Sequence, residues 1–156
     1  MDILNVRHLC KTYGFGESSV NALKDASFSM QKSEFTAIVG ESGSGKTTLL
    51  NLIGGLDNPT SGQVFLSGRE LFSMKEQERT IFRRRNIGFI FQSFQLIPEL
   101  TVEQNIMFPL LLDYQKPNME RVNELLAILG LTGRRNHLPS QLSGGQQQRT
   151  AIGRAL

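Results

Sequence analysis

Residues 40–47 read GESGSGKT and fit the pattern G-x-x-x-x-G-K-[ST]. A polyphosphate needs several backbone N–H groups converging on it, and glycines let the chain fold closely enough to supply them. Lys46 adds a mobile cation for the β- and γ-phosphates, and Thr47 a hydroxyl for Mg²⁺. An apolar run, FTAIV at 35–39, precedes the loop and reads as a buried strand. Residues 46–53 read as a helix, whose N-terminus adds donors and partial positive charge. Strand, loop and helix together ask for a nucleoside triphosphate and leave the reaction open.

A second stretch has related chemistry. Ser143, Gly144, Gly145 and Gln146 precede a helix expected to run to at least Ala155. Exposed N–H groups, a hydroxyl and a helix start can hold an anion. They can equally form an ordinary capped helix. The phosphate loop upstream shifts the balance towards a second phosphate grip.

These residues need elements to position them. Residues 62–68 read as a strand bounded by glycines, and 87–91 as another buried strand. Three Ser/Thr-x-x-Glu/Gln pairs predict capped helix starts: Ser73 with Glu76, Thr101 with Gln104, and Ser143 with Gln146. Val122, Leu125, Leu126 and Leu129 share one helix face, and Gly130 stops that helix. Strands and helix mix over the first ~90 residues and helix dominates afterwards, which predicts an α/β core carrying a helical subdomain.

With these motifs in view, the chain resembles the ATP-binding-cassette ATPases. LSGGQQQR at 142–149 resembles their signature motif and GESGSGKT their phosphate loop. Phe91-Gln92 resembles their glutamine loop, and Tyr13, in LCKTYG, the aromatic residue that stacks on adenine. The resemblance covers the whole chain. The segments VNALKDASFSM, GGLDNPTSGQVFLSG and FRRRNIGFIFQSFQLIPELTVEQN look most like the branch serving macrolide export, lipoprotein release and antimicrobial-peptide resistance.

The resemblance implies an α/β P-loop NTPase core with an N-terminal antiparallel β part and an α-helical subdomain. The core is expected over 1–92 and the subdomain over 93–156. ATP and Mg²⁺ are the implied cofactors. Tyr13 would stack the base, and Gly40, Glu41, Ser42, Gly43, Ser44, Gly45, Lys46, Thr47 and Thr48 would hold phosphate. Thr47 and Gln92 would serve the metal, and Lys46 and Gln92 catalysis. Ser143, Gly144, Gly145 and Gln146 would clamp the γ-phosphate held by an opposite subunit in a head-to-tail dimer. A membrane permease is the implied partner, docking near residues 94–105, so the protein is expected at the inner face of the membrane.

The family's next elements are an apolar strand ending in Asp, then a catalytic Glu, and later a switch histidine. Residues 1–156 contain none of them, and His8 and His137 match no such position. The resemblance therefore implies a chain truncated after the signature motif, with the C-terminal part of the core sheet missing. Poor hydrolysis, an unpaired sheet edge and exposed apolar surface are the expected consequences. A nucleotide-binding fragment without turnover is the alternative within this reading.

Composition narrows the other classes. The single cysteine, Cys10, cannot form an internal disulfide, which suits a reducing compartment. The N-terminus lacks a basic segment followed by an apolar stretch, so no signal peptide is expected. The apolar run at 106–112 is interrupted by Pro109 and far shorter than the roughly 18 residues of a membrane span. A soluble, cytosolic protein is expected, with any membrane role supplied by a partner. A net charge of +3 is too small to argue for nucleic acid. DNA-associated ATPases with similar motifs place a long coiled coil between glutamine loop and signature, and the short stretch from Gln92 to Ser143 has no sustained heptads. Arg83, Arg84 and Arg85 read instead as a solvated helix end.

Overall fold

The structure is a computed structural model that describes residues 2–156. It divides into two compact units, one ending at Arg83 and one spanning Arg84–Leu156.

The first unit is built on a four-stranded antiparallel sheet in the order β2-β1-β3-β4. The strands are β1 (Asp2–Tyr13), β2 (Val20–Gln31), β3 (Ser61–Leu66) and β4 (Arg69–Glu70). Alternation in β1 buries Leu4 and Val6. Strict alternation would next bury His8. A register shift between Val6 and Leu9, with His8 at φ 47°, instead turns His8 outward and buries Leu9 completely. Such an irregularity changes which face the following residues present. The β3–β4 hairpin closes through Ser67 and Gly68, both at positive φ, with Leu66 paired to Arg69. Positive φ at both turn positions matches the right-handed strand twist.

Helix α1 (Lys46–Ile53) follows the phosphate loop, with the bounds its sequence suggests. Leu52 is fully buried against Leu4, Val6, Leu9, Val64, Leu71 and Phe82. Phe82 lies on α2 (Glu76–Asn86). Ser73 does not cap α2. Its hydroxyl donates to the Glu70 carbonyl at 2.9 Å, and the helix begins only at Glu76. The Ser73 side chain instead makes a local bond to the backbone three residues back, the kind of contact that competes with helix starts in turns.

Two expected strands are absent as strands. Residues 35–39 and 87–91 are irregular, with Phe35 95%, Val39 86% and Ile90 53% exposed. A strand needs a neighbour for its N–H and C=O groups. Among the described residues, neither run pairs with β1–β4. Apolar content alone could not supply that partner. The expected apolar surface is therefore present, in place of buried core strands.

The second unit is helical: α3 (Val102–Leu112), α4 (Met119–Ile128) and α5 (Gly144–Ala155). Thr101 and Gln104 form the expected capping box on α3. Asn118 caps α4 by accepting from the Glu120 and Arg121 N–H groups. Val122, Leu125 and Leu126 are buried with Val102, Ile106, Leu131 and Leu142, and Leu129 packs against them. Gly130, at φ 65°, ends the α4 segment. On α5, a Cβ at Gly153 would lie 2.9 Å from Leu129 Cδ1 and 3.0 Å from Ile106 Cδ1. The missing side chain lets α5 approach these residues closely. No helix among the described residues is long and apolar enough to cross a membrane.

The arginine run is engaged rather than simply solvated. Arg83 donates to the Gly55 carbonyl at 2.6 Å, and Arg84 and Arg85 both donate to Asp113. The Arg85 hydrogen bond lowers the Asp113 pKa, against desolvation, with help from the Arg84 bond and both charges. A carboxyl with a depressed folded-state pKa contributes stability above its unfolded value, about 4. That contribution disappears as pH falls through the folded value. Asp113→Asn is therefore expected to flatten the acid limb of a urea-midpoint titration between about pH 6 and pH 2. An unchanged acid limb would exclude the role.

Candidate functional site

The phosphate loop lies between residues 40 and 48. Gly43 and Gly45 sit at φ 80° and 88°. A Cβ at Gly45 would come 2.3 Å from the Ala22 carbonyl oxygen, so this position needs glycine for both backbone angle and space. Gly45 is also the N-cap of α1, and no side chain caps that helix. The first-turn N–H groups, including those of Lys46, Thr47 and Thr48, thus face the loop without a capping oxygen from the chain. The Lys46 ammonium folds over the loop, donating to Gly40 O at 2.8 Å, Glu41 O at 2.6 Å and Ser44 Oγ at 3.3 Å. Glu41, Ser42 and Thr47 are exposed. Glycine backbone, uncapped helix start and positive charge form a cradle that fits a polyphosphate.

Tyr13 belongs to the same unit. It pairs with Val20 on β2, and two residues along that strand Ala22 meets Gly45. One stretch of β2 therefore carries both Tyr13 and the wall of the phosphate loop. The Tyr13 hydroxyl donates to Asp57 Oδ2 at 2.8 Å, and Lys11 Nζ lies 4.7 Å from the ring centroid. Lys11 also donates to Asp57 Oδ1 at 2.8 Å and to Asn58 O at 2.6 Å. Burial pushes the Asp57 carboxyl up. Hydrogen bonds from Lys11, Tyr13 and the Asn58 N–H, with the charge of Lys11, outweigh it and hold the pKa below its ordinary value. Sequence reading missed Lys11 and Asp57, because nothing local joins residues so far apart in the chain.

Gln92 and the signature segment lie in the second unit. Gln92 is exposed in the irregular stretch before α3. The turn after it is held by Arg154 of α5, which donates to Gln95 O at 2.5 Å and Phe94 O at 2.9 Å. Burial lowers the Arg154 pKa. Further along, the fully buried Asn105 accepts from Ile97 N and donates to Ile97 O, Leu100 O and Thr101 O. Neither support had a readable sequence signal.

Ser143 caps α5 as its sequence suggests. Its Oγ accepts from Gln146 N at 3.3 Å, and Gln146 Oε1 accepts from Ser143 N at 2.9 Å. This box leaves the Gly144 and Gly145 N–H groups at the helix start, and Ser143, Gly144 and Gly145 are exposed. Gln147 braces the approach by donating to Pro139 O and Leu142 O. The arrangement can offer two backbone donors and a hydroxyl to an anion.

A sequence profile described as ABC transporter matches residues 23–156. An uncharacterized ABC transporter ATP-binding protein of Methanocaldococcus jannaschii, MJ1508, is 47% identical over 99% of the chain and 70% of its own length. ABC transporter ATP-binding protein YxdL of Bacillus subtilis is 44% identical over 99% of the chain, which spans only 61% of that relative. Among solved structures, the ATP-binding cassette MJ0796 as a dimer bound to ADP and Pi matches with TM-score 0.89 and 43% identity, over 98% of this chain and 68% of that one. A second dimeric structure of MJ0796 matches with TM-score 0.88 over the same shares.

Proposed function

The chain belongs to the ATP-binding-cassette (ABC) transporter family, and from that premise we propose that it is the MgATP-binding part of a cassette working in a head-to-tail pair beneath a membrane permease. The observation that carries this reading is the phosphate loop, with Gly45 against Ala22, an uncapped α1 and the Lys46 ammonium folded over the loop carbonyls. Gly40, Glu41, Ser42, Gly43, Ser44, Gly45 and Thr48 would surround the phosphates, with Lys46 as their cation. Thr47 and Gln92 would hold Mg²⁺, which supplies charge neutralisation at the β- and γ-oxygens when bound. Tyr13 would stack the adenine.

Ser143, Gly144, Gly145 and Gln146 would grip the γ-phosphate held by the phosphate loop of the opposite subunit. ATP touching both subunits favours the closed pair over the open one, and its hydrolysis removes that preference. The permease would read this shift near residues 94–105 at the inner face of the membrane. The family branch proposed is that of macrolide export, lipoprotein release and antimicrobial-peptide resistance.

Calorimetric titration of the 156-residue chain with MgATP is expected to give saturable binding. Phosphate release by the same sample is expected near the protein-free background, because residues 1–156 hold no carboxylate in the position the family uses to polarise water. Absence of binding would reject the nucleotide reading. Turnover on the order of one per second or faster, the ordinary range of enzymes, would reject the low-turnover reading and leave the binding reading intact.

A further inference from the structure

We propose that Lys11 and Asp57 are positioning residues for Tyr13 and that together they set the affinity for the adenine base. The inference rests on the reading of Tyr13 as the adenine platform. Tyr13 is 42% exposed near the end of β1, where a ring would ordinarily keep its rotamer freedom. Here it is held at two points. Asp57 Oδ2 accepts its hydroxyl at 2.8 Å, and the Lys11 ammonium lies over the ring, 4.7 Å from its centroid.

Lys11 is itself fixed. Its side chain is 12% exposed, and it donates to Asp57 Oδ1 and Asn58 O. The Asp57 carboxylate accepts from the Asn58 N–H as well, at 2.7 Å. The group is anchored to α1, because the Leu56 and Asp57 N–H groups both donate to Asn51 O. One helix, eight residues and roughly 12 Å long, thus starts at the phosphate loop and ends at the turn that restrains Tyr13.

Two physical effects follow. A ring already held in its binding orientation loses less rotamer freedom when a base stacks on it. A cation over one face draws π-density towards itself, leaving the opposite face less repulsive to the π-cloud of a purine. A pair that merely joined β1 to the turn after α1 would change folding and every ligand alike. A positioning pair changes only the part of the affinity that depends on the base.

The experiment compares dissociation constants for MgATP and magnesium tripolyphosphate on the full chain. The variants are Tyr13→Ala, Tyr13→Phe, Asp57→Asn, Lys11→Met and Lys11→Arg. Tyr13→Ala is expected to cut the ATP preference by roughly tenfold or more. Tyr13→Phe, Asp57→Asn and Lys11→Met are expected to cut it by roughly three- to tenfold, with tripolyphosphate affinity unchanged. Lys11→Arg, which keeps a cation over the ring, is expected to retain it. If Tyr13→Ala loses the preference while Tyr13→Phe, Asp57→Asn and Lys11→Met keep it, the positioning inference fails and the platform reading stands. If Tyr13→Ala keeps the preference, both fail. Equal weakening of both ligands by Asp57→Asn or Lys11→Met would make the pair structural and overturn the proposal. Should either of those variants not fold, Tyr13→Phe, which removes a single oxygen, decides the question alone.

Discussion

Lys46→Ala is expected to weaken MgATP binding by roughly 100-fold while leaving the fold intact. The magnitude comes from removing a cation's charge-assisted contact with the phosphates, worth about 1.5–3 kcal/mol, the upper end of which is roughly 100-fold. The fold is spared because the ammonium contacts only Gly40 O, Glu41 O and Ser44 Oγ of its own exposed loop. Loss of these contacts is expected to loosen that loop and not the β1–β4 core, to which the ammonium makes no hydrogen bond among the described residues. Arginine should not restore binding fully, since its planar fork cannot replace a compact ammonium folded over a tight loop. Calorimetry gives the affinity, and a urea midpoint gives the stability. A variant that bound MgATP within threefold of the unaltered chain would remove Lys46 from the site.

How readily each feature could be read from the sequence follows from the range of the interaction behind it. Helix α1 was legible because glycine punctuation, apolar spacing and the phosphate-loop pattern agree over a few residues. The caps at Thr101 and Ser143 were legible for the same reason, since donor and acceptor lie three residues apart. Ser73 carries an identical pattern and fails, because α2 begins only at Glu76 and the Ser73 hydroxyl makes another local bond, to the Glu70 carbonyl; short range alone does not choose between two local partners. Residues 35–39 and 87–91 have the composition of buried strands, yet a strand is a relation between two segments. Without a paired neighbour, Phe35 and Val39 stand exposed.

The site divides along the same line. The phosphate loop and the signature stretch are contiguous in sequence, so their chemistry is written locally. The residues that hold other site elements in place are remote: Asp57 from Tyr13, Arg154 from the turn after Gln92. Their side-chain types are ordinary, and only the fold brings them into contact. The division extends to the arginine run, whose helix location was readable while its bonds to Gly55 and Asp113 were not.

Asn105→Ala is expected to destabilise the helical unit by about 2–4 kcal/mol, a large share of a small domain's stability. Asn105 is completely buried, and its amide closes a ring of four contacts: one from Ile97 N at 2.9 Å, and three to Ile97 O, Leu100 O and Thr101 O at 3.1, 2.9 and 3.1 Å. Alanine leaves the groups of residues 97–101 without that partner and empties the space of a completely buried amide. Aspartate separates the two sources of the effect. It fills the same volume and can accept from Ile97 N, but its ionised form cannot donate, and it places negative charge against three carbonyl oxygens. Asn105→Asp is therefore expected to destabilise as much as alanine or more at neutral pH. Its penalty should ease as the carboxyl protonates in acid and regains a donor. Urea unfolding at two pH values, with amide exchange followed at Ile97, tests both statements. If alanine changed stability by less than about 0.5 kcal/mol, the amide would not be what holds this loop; if aspartate were as stable as asparagine, its donor half would be dispensable.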